Sequence, residues 1–61
     1  MTVVFYDVQK ETYKRIVDVW QLTACCQLDH GHYTNIWRIL FNSGEEMMLA
    51  QRYYKIHRID S

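Results

Sequence analysis

Tyr13-Lys14-Arg15-Ile16-Val17-Asp18-Val19-Trp20-Gln21-Leu22 fits two periods, and choosing between them separates an all-β chain from an α+β one. Tyr13, Ile16, Val17 and Trp20 fall at the i, i+3, i+4, i+7 spacing of an amphipathic helix. On a strand, Ile16, Trp20 and Leu22 share one face, and Tyr13, Val17 and Val19 share the other. The run Ile16 to Trp20 is β-branched and aromatic, and no glycine closes a helix before Cys25. These residue types fit a pleated, half-buried surface, so the segment reads as strand. A helix at about 12–23 lying across a sheet is the alternative.

Working outward, Thr2 to Val8 carries the same β signature, and Gln9-Lys10-Glu11-Thr12 is a polar loop of hairpin length. Downstream, Thr23 to Leu28 extends the strand past a bulge, and Asp29-His30-Gly31-His32 forms a turn. Tyr33 to Phe41 alternates cleanly: Trp37, Ile39 and Phe41 lie on one face, Ile36, Arg38 and Leu40 on the other. Asn42-Ser43-Gly44 then supplies turn chemistry, with Gly44 at the left-handed position. Glu45 to Ala50 returns as the partner strand with Met47 and Leu49 inward. A short turn at Gln51-Arg52-Tyr53 feeds a last strand at 54–59.

The reading is therefore all-β, a five-stranded antiparallel meander curled into a small half-open barrel of SH3-like type. The expected core is Phe5, Ile16, Trp37, Ile39, Phe41, Leu49 and Ile56, with Tyr6 in place of Phe5 if the first strand has the other parity. Sixty-one residues, 49% apolar, 15% aromatic and 23% charged, give the balance of one small folded domain spanning 1–61. Such a chain buries only about 60% of its unfolded surface, and nine aromatic residues must do much of the filling. Proline is absent, only two glycines occur and no linker composition is visible. No strictly apolar run exceeds five residues, which leaves no candidate for a membrane-spanning helix or a signal-peptide core. Seven basic and seven acidic residues cancel, so no net charge draws the chain to nucleic acid or membrane.

Cys25 and Cys26 are adjacent, and neighbouring residues of a strand point to opposite faces. Two reduced thiols in a cytoplasmic protein is the expectation. With Asp29, His30 and His32 they offer metal-ligand chemistry, but zinc sites space their cysteines so that both sulfurs turn inward. A polar turn beside two small thiols is the plainer reading, and neither a metal nor another cofactor is expected. Catalysis is not expected either. Cys26 near His30 or His32 lacks an orienting third group, the two glycines lie too far apart for a phosphate loop, and Glu45 and Glu46 read as a solvated hairpin entry.

Two surfaces remain. Arg52, Lys55, His57 and Arg58 alternate with Tyr53 and Tyr54, and Lys14, Arg15 and Arg38 join them if their strands lie alongside. Cations with stacking aromatics bind single-stranded nucleic acid. A calculated pI near 6.8 argues the other way, toward solvated edge charges. Trp20, Met47, Met48 and Tyr53 are candidates for a protein interface, because methionine and aromatic side chains concentrate there. The expectation is a macromolecule-interaction module, binding an unknown protein or a second copy of itself through a sheet face or edge, with nucleic acid as the alternative partner. In size and pattern the chain has the general look of small accessory proteins of bacteria and phages, which implies a cytoplasmic role and assigns no residue a function.

Overall fold

The computed structural model describes residues 1–61, and every element is a strand. They are β1 (Thr2–Asp7), β2 (Thr12–Ile16), β3 (Val19–Asp29), β4 (His32–Phe41), β5 (Glu46–Ala50) and β6 (Tyr54–Asp60). Two three-stranded antiparallel sheets form, ordered β2-β1-β6 and β3-β4-β5. The helix weighed for 12–23 is absent, and six strands replace the expected five. The extra strand comes from a break at Val17-Asp18, where Asp18 takes φ 58°. Aspartate tolerates this left-handed geometry better than most residues, and here it turns the chain from one sheet into the other. The main chain around the break stays paired: Asn42 N donates to Asp18 O, and Val19 N donates to Met1 O.

The expected meander is corrected at its end. After β5, the Gln51-Arg52-Tyr53 turn carries the chain across to the first sheet, where β6 pairs with β1 rather than extending the second sheet. No closed barrel results. Two bulges sharpen the bend, one placing Trp20 as an extra residue of β3 and one placing His57 as an extra residue of β6.

The hairpins follow from local chemistry. Asn42-Ser43-Gly44 closes β4 to β5 with Gly44 at φ 92° and Gly44 N donating to Phe41 O. His30 and Gly31, at φ 49° and 78°, make the two-residue turn between β3 and β4. The loop after β1 lacks glycine and uses Asp7 instead. Its Oδ1 accepts hydrogen bonds from Gln9 N and Lys10 N while the residue is only 5% exposed.

Between the sheets lies a small core of Val3, Phe5, Ile16, Val19 and Ile39, flanked by Leu22, Trp37, Phe41, Met47, Leu49 and Tyr54. Phe5 meets the Tyr54 ring edge-on and the Trp37 ring at a tilt, and Trp37 Nε1 donates to Tyr54 O. Six of the seven expected core residues are here. Ile56 is the exception at 37% exposed: of β6, only Tyr54 packs against the core. Val3 and Val19 take its place, both effectively without accessible surface.

Candidate functional site

An edge strand offers backbone donors and acceptors that no neighbour satisfies. Four strands here are edges: β2, β6, β3 and β5. Three of them carry charge, with Lys14 and Arg15 on β2, Lys55, Arg58 and Asp60 on β6, and Glu46 on β5. β3 does not. From Val19 to Leu28 it holds neither a charged residue nor a proline, and Asp18 and Asp29 bracket this run.

Which β3 groups point outward follows from its turn. A two-residue turn closes on a hydrogen-bonded pair, here Asp29 and His32, and alternation along the ladder turns Gln27, Cys25 and Thr23 toward β4. Leu22, Ala24, Cys26 and Leu28 then direct their N–H and C=O groups away from the sheet. Val19, before the bulge, also points outward and is paired with Met1 through both groups. The edge is therefore occupied at its first residue and open from Leu22 to Leu28.

The side chains along this edge divide by face. Leu22, Ala24, Cys26 and Leu28 stand opposite Ile39, Trp37, Asn35 and Tyr33 on the core-facing side. The other sheet covers only the first part of that side. Leu22 is packed on the core, whereas Leu28 is 61% and Tyr33 79% exposed at the protruding tip. Cys26 Sγ donates to Asn35 Oδ1 at 3.2 Å. Both cysteines are free, and Cys25 lies half-buried on the opposite face from Cys26. No group of three or more histidine, cysteine or acidic side chains gathers around a common point.

The four residues expected at a protein interface do not converge. Trp20 is 67% exposed at the β3 bulge and Met48 is 47% exposed on β5, one strand removed. Met47 packs against the core opposite Ile39, and Tyr53 lies half-buried with the Arg52 guanidinium 5.2 Å from its ring centre. The expected basic patch also separates. Arg38 is on the second sheet, held by Glu46 at 2.6 Å, and Lys14 pairs with Phe5 and so faces away from Arg15. Arg15 and Arg58 do share a face, flanking Val4, and Lys55 follows in the next row beside Tyr6. On that face the bulged His57 ring lies tilted 4.8 Å from that of Tyr13, which meets the Tyr6 ring edge-on at 5.2 Å. Arg52 and Lys55 also line a shallow cavity of about 380 Å³ with Tyr33, Asn35 and Gln51.

No family model, curated protein or solved structure matches this chain. The uncharged edge of β3 was readable from the run Val19 to Leu28, but only once that run was known to be an edge.

Proposed function

We propose that this protein is a binding module that accepts an extended strand of another polypeptide along the open edge of β3. One observation carries the reading: four outward-facing residues, Leu22, Ala24, Cys26 and Leu28, on an edge with no charge or proline to repel a pairing strand. Strand addition draws its affinity from main-chain hydrogen bonds and its selectivity from side-chain contacts on alternate residues. Leu28 and Tyr33 supply exposed apolar surface where those contacts would fall. The architecture suits this role. The chain turns at Asp18 from the first sheet into the second, and the β3–β4 hairpin ends in the exposed Leu28 and Tyr33. The module binds rather than catalyses.

Amide NMR titration of the dilute protein with a capped peptide alternating threonine and valine tests the reading. Saturable shifts confined to Leu22–Leu28 are expected. Ala24→Pro removes an outward N–H without taking a bond from the β3–β4 ladder, so it abolishes those shifts and leaves the fold. Shifts elsewhere, or an equal response in Ala24→Pro, contradict it.

The Tyr6–Tyr13–His57 cluster favours a second reading, single-stranded nucleic acid lying across the outer face of the first sheet. Tyr13 is 62% exposed, and Arg15 and Arg58 lie in the neighbouring row. A short oligothymidylate titrated at rising salt tests it. Shifts at Tyr13 and His57 that weaken with salt support the reading, and a silent spectrum removes it.

A further inference from the structure

We infer that the strand taken up by β3 is β3 of a second copy, paired antiparallel about a two-fold axis at Cys25. This rests on the edge-binding reading and names its occupant. In an antiparallel ladder, outward-facing residues must meet outward-facing residues. Among two-fold registers, the one centred on Cys25 lets all four do so at once: Leu22 meets the partner's Leu28, and Ala24 meets the partner's Cys26. Each such pair exchanges two backbone hydrogen bonds, and the two sheets join into one of six strands.

The side chains fit the same register. The exposed Leu28 gains an apolar neighbour on the core-facing side. On the other face, Thr23 stands opposite the partner's Gln27, and Asp29 stands opposite the partner's Gln21. No like charges oppose, because the nearest acids bracket the run rather than enter it. A chain with equal numbers of acidic and basic residues adds no net repulsion between copies. An isologous contact of this kind closes on itself and stops at two copies.

Cys25 gives the register a chemical signature. It faces β4, so across the axis it forms a non-hydrogen-bonded pair with its own copy, at about 4.5 Å between Cα atoms. That lies within the range a disulfide spans. Cys26 is on the opposite face, diagonal to its copy at about 7–8 Å, beyond easy bridging.

The experiment is diamide oxidation of the full chain, read by non-reducing electrophoresis beside light scattering of the reduced protein. Diamide takes up the two protons and two electrons released as each disulfide forms. Wild type and Cys26→Ser are expected to give a reducible species of twice 7.5 kDa, and Cys25→Ser to give none while still scattering as a dimer. Cross-linking through Cys26 at comparable yield overturns the register. A reduced protein that stays monomeric at every concentration overturns self-pairing. The edge-binding reading is judged separately, by the threonine–valine peptide titration of wild type and Ala24→Pro.

Discussion

Phe5 has no accessible surface, and its ring centre lies 6.4 Å from those of Trp37 and Tyr54. Truncating a buried phenylalanine costs about 3–5 kcal/mol. A chain of this size holds only about 3–9 kcal/mol in all. Phe5→Ala is therefore expected to lose most of its cooperative urea transition, whereas Ile56→Ala, at a partly exposed edge site, keeps it. Equal losses in the two would show that the core lies elsewhere. Asp7 tests a different force. It is buried with Oδ1 accepting two backbone N–H groups, and Asp7→Ala would leave those donors without that partner. The expected cost is about 1–3 kcal/mol in chemical denaturation. Asp7→Asn, which retains an acceptor oxygen, loses less. At this scale the sequence showed most of the core, since Trp37, Ile39 and Phe41 share one parity. Val3 and Val19 were hidden because small β-branched residues beside larger aromatics give no size cue to burial.

β1, β4 and β6 were visible from their β-branched and aromatic residues, and β5 from the glycine turn that returns it beside β4. The break at Asp18 was not, because one aspartate in a left-handed conformation leaves no pattern in its neighbours. It is testable by substitution. Asp18→Gly relieves the φ 58° geometry and is expected to retain or raise stability. Asp18→Val forces a β-branched side chain into that conformation, at about 1–2 kcal/mol. Thermal unfolding of both variants checks this, and equal tolerance of valine would mean the bend is not fixed there. The pairing of β6 with β1 was equally hidden, since antiparallel neighbours far apart in the chain share no local signal. Element boundaries also decided the candidate site. The uncharged run Val19 to Leu28 acquires its meaning from being an edge, and edges are assigned only by the whole topology.

The Cα trace spans 36 × 29 × 13 Å, and eight of the 61 residues are buried. A body this thin has little interior from which to draw stability, so pairing its open edge with another copy should add a measurable share. By mass action, a state stabilised by association melts higher as concentration rises. Wild-type protein is expected to show that dependence and Ala24→Pro to lack it, with similar melting temperatures for the two at high dilution. Much lower stability of Ala24→Pro at high dilution would mean that residue 24 serves the monomer rather than the edge. The measurement that reaches the central claim most directly is amide hydrogen exchange along β3 at low and high protein concentration. The account predicts that Leu22, Ala24, Cys26 and Leu28 exchange quickly when dilute and become protected when concentrated, while Thr23, Cys25 and Gln27 are protected throughout. Rapid exchange of the four outward amides at every concentration would contradict it.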